Sequence, residues 1–163
     1  KQGLYDNTLL VIYGDHHAIP REHSGDLMKF LNIQYSDFLF RKIQKIPAII
    51  HCPGVKESAR IDVIGGQIDL LPTVGNLMGL DTSYAMGKDL LNTDMNYAVL
   101  RNGSVITDEF LYLNELEEAY DIDTGAVLQK DSYEKTVDIL QKELNISDMI
   151  LQKDIFRSFK INN

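Results

Sequence analysis

The chain has 163 residues, which is enough for one sizeable domain or for one domain with a small lobe. Its formal net charge of -8 argues against a nucleic-acid surface and against a polybasic membrane patch. Cys52 is the single cysteine, so an internal disulfide is excluded, and no apolar run reaches the ~18 residues of a membrane-spanning helix. Because the chain starts at Lys1 without a methionine or a signal peptide, we expect a fragment of a longer protein.

The first predicted element is a buried strand that ends in three polar side chains. The stretch from Thr8 to Tyr13 is almost wholly apolar, and Gly14, Asp15, His16 and His17 follow it. A continuous apolar strand is typical of a parallel α/β sheet covered on both faces. Ligands of such sheets gather at the carboxyl ends of strands, and after a glycine the chain can turn two neighbouring side chains toward one point.

Asp15 and His16 are therefore candidate metal ligands. A carboxylate and an imidazole suit Mn²⁺ or Zn²⁺, whereas Mg²⁺ is less well served by nitrogen. The alternative is that both residues cap the strand and hydrogen-bond locally, and spacing alone leaves the two interpretations about even. His17 is a candidate for the rim of the site, where it would meet a substrate. His23 is expected to be a solvent-facing loop histidine.

Weaker signals follow the first strand. Residues 21–26 are polar and predict a loop, residues 27–31 predict one or two turns of helix, and residues 37–45 show no clear period. Residues 46–52 predict a second strand, with Pro47 confined to its start or to an edge because proline cannot donate to the ladder. In that strand we expect His51 to be structural and Cys52 to be a small buried hydrophobe.

A well-punctuated helix is predicted within residues 65–79. Asp69 is the expected N-cap, Pro72 falls in the first turn, and Gly79 is the expected C′ residue. One face at helical spacing is expected to pack on the sheet, and it carries Leu70, Leu71, Val74, Leu77 and Met78.

The pattern changes near Tyr97. Asn102-Gly103 lies between two β-prone runs and predicts a hairpin, and residues 110–113 and 118–121 predict two further strands of an antiparallel meander. One or two amphipathic helices are predicted between Ser132 and Phe159. Their apolar stripe consists of Val137, Leu140, Leu144, Ile150, Leu151 and Ile155. We therefore expect an α/β portion over residues 1–95 and a small antiparallel subdomain with a C-terminal helix over residues 96–163.

Four motifs carry a resemblance to a known family. They are Tyr13-Gly14-Asp15-His16, Gly66-Gln67-Ile68-Asp69-Leu70-Leu71-Pro72-Thr73, Met86-Gly87-Lys88-Asp89-Leu90 and Arg101-Asn102-Gly103. In this order they resemble the C-terminal part of the extracellular domain of lipoteichoic acid synthases, the phosphoglycerol transferases of Gram-positive bacteria. More broadly, the chain looks like the sulfatase and alkaline phosphatase superfamily. The implied fold class is α/β, the C-terminal part of an alkaline phosphatase-like (sulfatase) sandwich followed by a small antiparallel sheet and C-terminal helices.

The resemblance also implies a chemistry and a location. Family members move glycerol phosphate from phosphatidylglycerol to a growing polymer or glycolipid, through a covalent intermediate on a threonine. They hold Mn²⁺ with that threonine, a glutamate and an Asp-His pair, which corresponds here to Asp15 and His16. Their catalytic domain lies at the extracellular face of the cell membrane behind N-terminal transmembrane helices, which this chain lacks.

The chain departs from the family pattern because only fourteen residues precede Asp15. The nucleophilic threonine, the glutamate and the residues that grip the substrate lie upstream in the family, so no catalytic residue is expected in this fragment. Thr8 and Thr73 are not substitutes, since each lies inside a predicted structural element. The fragment should hold half a site and be inactive alone. Two alternatives stay open: a phosphatase, phosphodiesterase or sulfatase of the same superfamily, and a non-catalytic α/β binding module.

Overall fold

The computed structural model describes residues 3–17 and 19–158. The chain divides into two compact units, Lys1–Asp62 and Val63–Asn163. The predicted boundary between residues 95 and 96 stays a prediction, because a compact packing unit need not coincide with a catalytic domain or its subdomain.

The first unit contains a two-stranded sheet and two short α-helices. Strand β1 spans Leu10–Tyr13 and strand β2 spans Ala48–His51, while helix α1 spans Ser24–Leu31 and helix α2 spans Asp37–Lys42. Single turns of 3₁₀-helix occur at Tyr5–Asn7 and Arg21–His23. Both strands were predicted.

The environment of β1 differs from the prediction. Its partner β2 is antiparallel, with Val11 opposite Ile50 and Ile12 opposite Ile49, so the expected parallel pairing is wrong for this pair. The expected burial is wrong as well, because Ile12 is 50% exposed and Ile49 is 56% exposed. The reason is geometric: among the described residues these two strands form a sheet by themselves, and a two-stranded ribbon cannot cover both of its own faces.

The first unit contains more helix than the sequence predicted. Helix α1 begins at Ser24, inside the stretch predicted as a loop, and it buries Ser24 and Met28 on one face four residues apart. The region left without a prediction forms α2, whose N-cap Ser36 accepts a hydrogen bond from the backbone N–H of Leu39 at 3.1 Å. Phe38 and Phe40 of α2 are both buried.

The second unit contains one short helix, a four-stranded sheet and a long helix. Helix α3 spans Leu70–Leu77 and follows a 3₁₀ turn at Gln67–Asp69. The strands are β3 (Tyr97–Val99), β4 (Val105–Thr107), β5 (Phe110–Leu113) and β6 (Glu118–Asp121). Helix α4 spans Glu134–Gln152, between 3₁₀ turns at Lys130–Ser132 and Ile155–Ser158.

The predicted meander is confirmed strand by strand. The strands lie in the order β3-β4-β5-β6, and each neighbouring pair is antiparallel. The Asn102-Gly103 turn closes with a 2.8 Å hydrogen bond from the Gly103 N–H to the Leu100 carbonyl. A buried cluster joins the sheet to α4 and the residue before it, and its members are Val105, Phe110, Ala119, Tyr133 and Val137.

Helix α3 ends as predicted but buries a different face. Gly79 has φ +68°, and the N–H groups of Gly79 and Leu80 return to the carbonyls of Asn76 and Gly75, which satisfies the last turn. The predicted apolar face is wrong in part, because Leu71 is 64% exposed and Met78 is 58% exposed. The buried positions are Pro72, Thr73 and Gly75. Small side chains allow the close approach there, since a Cβ on Gly75 would lie 2.3 Å from the Thr82 methyl group.

The stripe predicted for the C-terminal helix is confirmed at its start. Val137 is 4% exposed and Leu140 packs against the same cluster, whereas Leu151, near the end of α4, is 75% exposed. Across the described ranges, we find no helix that has both the length and the apolar character to cross a membrane.

Candidate metal centre and a buried polar clasp

Asp15 and His16 lie just beyond the carboxyl end of β1, where the sequence predicted them. Gly14 separates them from the strand and donates its N–H to the Pro47 carbonyl at 3.1 Å. A Cβ on Gly14 would lie 2.9 Å from the Cβ of Ile46, so any side chain there would push the chain away. Only glycine therefore allows the chain at position 14 to lie this close to the residues before β2. This contact sets the position of the backbone that carries Asp15 and His16.

The two candidate ligands are close together and open to solvent. Nε2 of His16 lies 3.7 Å from Oδ1 of Asp15, and the side chains of His16 and Asp15 are 75% and 87% exposed. The other ring nitrogen, Nδ1 of His16, lies 2.7 Å from the carbonyl oxygen of His17. A proton on Nδ1 completes that hydrogen bond, which leaves the lone pair of Nε2 on the side of the Asp15 carboxylate.

This pair fits part of a metal site. Two ligands that each lie about 2.0–2.2 Å from one ion can be at most about 4.4 Å apart, and the 3.7 Å separation lies within that limit. A ligating histidine that donates its other N–H to a carbonyl is the usual outer arrangement of such sites. Among the described residues, however, no group of three or more His, Cys, Asp and Glu side chains could hold an ion. Within the part of the chain that the structure describes, the pair is therefore two potential metal donors without a third beside them.

The other three histidines, His17, His23 and His51, lie in three different surroundings. His17 lies next to the pair, with its ring 6.4 Å from the His16 ring in an edge-on arrangement, and it is exposed. His23 ends an exposed 3₁₀ turn, as expected for a surface histidine. His51 stacks on Tyr5 with ring centroids 4.2 Å apart, and the Tyr5 hydroxyl lies 3.3 Å from its Nδ1. Cys52 is only half-buried, less than predicted.

A buried ion pair in the second unit was missed by the sequence reasoning. Asp69 lies at the N-cap position of α3, as predicted, but its carboxylate serves a different purpose. It accepts hydrogen bonds from the N–H of Gly66 at 2.8 Å, the N–H of Lys88 at 2.8 Å and Nζ of Lys88 at 3.0 Å. The side chains of Asp69 and Lys88 are only 3% and 6% exposed. We call this arrangement the Asp69–Lys88 clasp.

The clasp joins two of the motifs that carried the family resemblance. Gly87 has φ +90°, and a Cβ there would lie 2.6 Å from the Ile68 carbonyl oxygen and 2.8 Å from Oδ1 of Asp69. Glycine at position 87 therefore lets the motif of residues 86–90 approach the motif of residues 66–73 closely. A buried aspartate in an otherwise apolar motif needs a cationic partner, and that requirement is the signal that could have identified Lys88.

Lys88 also links the clasp to the sheet and to α4. Its Nζ donates to the Tyr97 carbonyl at 2.7 Å and lies 4.4 Å from the centre of the Tyr97 ring. The Tyr97 hydroxyl donates to Glu143 of α4. Burial, with a further contribution from the bonded and negatively charged Glu143, raises the pKa of Tyr97 well above its ordinary value. The phenol therefore stays neutral and remains a donor throughout the ordinary pH range.

Comparison with known proteins defines the class to which this chain belongs. The sequence profile of the sulfatase family matches residues 1–80. A crystal structure of the lipoteichoic acid synthase LtaP from Listeria monocytogenes superposes with a TM-score of 0.73 at 28% identity, over 99% of this chain and 41% of that one. The fold is thus that of an alkaline phosphatase-like domain, as the sequence predicted.

Within this class of protein, the chain is similar to curated lipoteichoic acid synthases and their relatives. The lipoteichoic acid synthase-like protein YvgJ of Bacillus subtilis is 36% identical over 96% of this chain, and the lipoteichoic acid synthase of Staphylococcus aureus strain USA300 is 34% identical over 98% of it. The chain spans 26% and 25% of the lengths of these two relatives. The chain thus matches the sulfatase family over residues 1–80 and is similar to lipoteichoic acid synthases over nearly its whole length.

Proposed function

We propose that this chain is the C-terminal part of a metal-dependent phosphoglycerol transferase that acts at the extracellular face of a cell membrane. The observation that carries the proposal is the Asp15–His16 pair, two metal-competent donors 3.7 Å apart at the carboxyl end of a strand. Similarity to lipoteichoic acid synthases over nearly the whole chain supports the choice of reaction. The proposed donor is a phosphatidylglycerol-type lipid, and the proposed acceptor is a glycerol-phosphate polymer or glycolipid.

In this mechanism, Asp15 and His16 hold a divalent ion, with Mn²⁺ as the first choice and Zn²⁺ or Mg²⁺ as alternatives. When bound, the ion supplies Lewis-acid activation of a hydroxyl nucleophile and neutralises charge on the phosphoryl oxygens. Asp15 contributes a negative charge and His16 a neutral Nε2 lone pair, and neither residue transfers a proton. The His17 carbonyl keeps the His16 proton on Nδ1, which keeps Nε2 available. The His17 side chain is proposed to contact the substrate at the rim of the site.

The first test uses the full-length enzyme. Asp15→Ala and His16→Ala should each abolish Mn²⁺ retention after gel filtration and reduce glycerol-phosphate transfer by at least about a hundredfold, because each removes one of few ligands. Asp26→Ala is the matched control, since Asp26 is also an exposed aspartate of the first unit, at 80% exposure. Normal turnover of Asp15→Ala would show that the metal is held elsewhere.

The second test uses the chain itself. Calorimetric titration with Mn²⁺ should give weak binding or none, because two protein ligands hold a divalent ion poorly and the described residues supply no third. Tight binding with one ion per chain would refute the view that this chain carries half a site. Products from the full-length enzyme separate the reaction classes: transfer gives glycerol phosphate linked to an acceptor, whereas a hydrolase releases it free.

A further inference from the structure

The turn between β3 and β4 contains a residue pair that is chemically labile in an unfolded chain. Asn102 is followed by Gly103, and it is the one asparagine of the sequence that glycine follows. Glycine has no side chain to shield its main-chain nitrogen and restricts the backbone least, so this nitrogen reaches the asparagine side chain easily. The hairpin nevertheless uses glycine here, because Gly103 has φ +86°. The fold therefore retains a pair that is prone to react.

The reaction of such a pair is deamidation. The Gly103 nitrogen loses its proton and attacks the side-chain carbonyl carbon of Asn102, and the new C–N bond closes a succinimide ring. The bond between that carbon and Nδ2 breaks, and the amide nitrogen leaves with the proton as ammonia. Water then opens the ring at either of its carbonyl groups and gives aspartate or isoaspartate. The net change is the addition of water and the loss of ammonia, without a redox step.

The structure holds both reacting groups in hydrogen bonds. The Gly103 N–H donates to the Leu100 carbonyl at 2.8 Å. The Asn102 side chain accepts from the Ser104 N–H at 3.1 Å and donates through Nδ2 to Oε2 of Glu115 at 3.1 Å. Ring closure takes the proton from the Gly103 nitrogen and Nδ2 from the side chain, so the bonds to Leu100 and Glu115 must both break.

Glu115 is itself held in the position from which it bonds the amide. It lies in the turn between β5 and β6, and its Oε2 also accepts from the Ser104 hydroxyl at 3.2 Å. Ser104 is fully buried, and its hydroxyl accepts from the Asn114 N–H at 3.1 Å. Nδ2 of Asn114 donates to the Asn102 carbonyl at 2.9 Å. The β5–β6 turn therefore holds the labile residue by its side chain and by its main chain.

We propose that Asn102 is a deamidation site and that the fold, chiefly through Glu115, keeps the reaction slow. The products do not fit the turn. An aspartate at position 102 would place a second carboxylate where the amide now lies 3.1 Å from Glu115, and the like charges would repel. Isoaspartate would lengthen the main chain inside a turn that closes with a 2.8 Å hydrogen bond. Deamidation is therefore an irreversible ageing step that loosens the β3–β4 hairpin.

The first experiment follows the reaction by peptide mass spectrometry that separates asparagine, aspartate and isoaspartate, after incubation at mildly alkaline pH. Asn102 should react at least about tenfold more slowly in the native chain than in the chain unfolded with guanidinium chloride, because two hydrogen bonds must break. Asn92 is the internal control: it is exposed and donates to Asp89 at 2.7 Å, but Thr93 follows it, so it should react slowly in both states. A native rate at Asn102 equal to or above the unfolded rate would overturn the proposal.

The second experiment tests the role of Glu115 with three variants, each under conditions in which urea titration shows it to be folded. Glu115→Ala removes the acceptor of the amide and should speed native-state deamidation by about fivefold, the factor for one lost hydrogen bond. Glu115→Gln keeps a side-chain oxygen acceptor and should retain most of the protection. Glu118→Ala is the matched control, since Glu118 is an exposed glutamate of β6 that bonds the Tyr120 hydroxyl at 2.6 Å. An unchanged rate in Glu115→Ala, or the same increase in Glu118→Ala, would contradict the proposed role of Glu115.

Discussion

The Asp69–Lys88 clasp makes a quantitative prediction about stability. Lys88→Met keeps most of the side-chain volume but removes the cation from a carboxylate that is only 3% exposed. It also leaves the Tyr97 carbonyl without its 2.7 Å donor. Breaking one side of a buried pair costs about 3–5 kcal/mol. Two backbone N–H groups still bond Asp69, so we expect the lower end, about 3 kcal/mol. For a chain of this length that corresponds to a fall in Tm of about 10 °C.

The assay is urea and thermal unfolding followed by circular dichroism, with Lys130→Met as the matched control. Lys130 pairs with Glu134 at 3.0 Å, but the two side chains are 69% and 51% exposed. An exposed ion pair of this kind contributes little to stability, so this variant should unfold almost like the wild type. If both variants lost the same stability, or if Lys88→Met lost less than about 1 kcal/mol, burial would not be what makes the clasp important.

The remaining predictions concern single groups. Gly14→Ala should destabilise the chain by about 1–3 kcal/mol in thermal unfolding, because its Cβ would lie 2.9 Å from the Cβ of Ile46. Gly25→Ala in α1 is the control: its Cβ would meet nothing within 4 Å, so this variant should be slightly more stable. The raised pKa of Tyr97 predicts stability that is complete below about pH 10 and falls as the pH rises further, and Tyr97→Phe should flatten that alkaline loss in urea titrations. Ser36→Ala removes the N-cap acceptor of α2 and should cost about 1 kcal/mol, measured as a lower urea midpoint without a change in m-value.

Local signals in the sequence were sufficient for the turns and strands of the second unit. The Asn102-Gly103 turn, the Gly79 helix end and the four strands of the meander all follow from short-range chemistry, and the structure has each of them. These features depend on residues within a few positions of one another, so a single sequence contains what is needed to predict them.

Long-range partners were not predictable in the same way. The partner of Asp69 lies nineteen residues away at Lys88, and the direction of β2 relative to β1 depends on how more than thirty residues between them fold. The predicted burial of β1 was wrong for a related reason. An apolar strand indicates that something covers it, but it does not say whether the covering residues are in the same stretch of sequence. The exposure of Ile12 therefore shows the limit of a local pattern.

The clasp gives a structural role to two of the four motifs that carried the family resemblance. Of the four, only the one that ends in Asp15 and His16 carries metal-competent side chains at a strand end. Two of the others meet at Asp69 and Lys88, where the charges are almost fully buried and already bonded to each other, so they are not free to act on a substrate. Their physical role is to hold α3 to the segment that leads into β3. A substitution at Lys88 should therefore reduce activity only through folding. On the proposed function, Lys88→Met in the full-length protein should leave the KM for the proposed lipid donor unchanged while the amount of active protein falls. A changed KM would show that the clasp reaches the substrate.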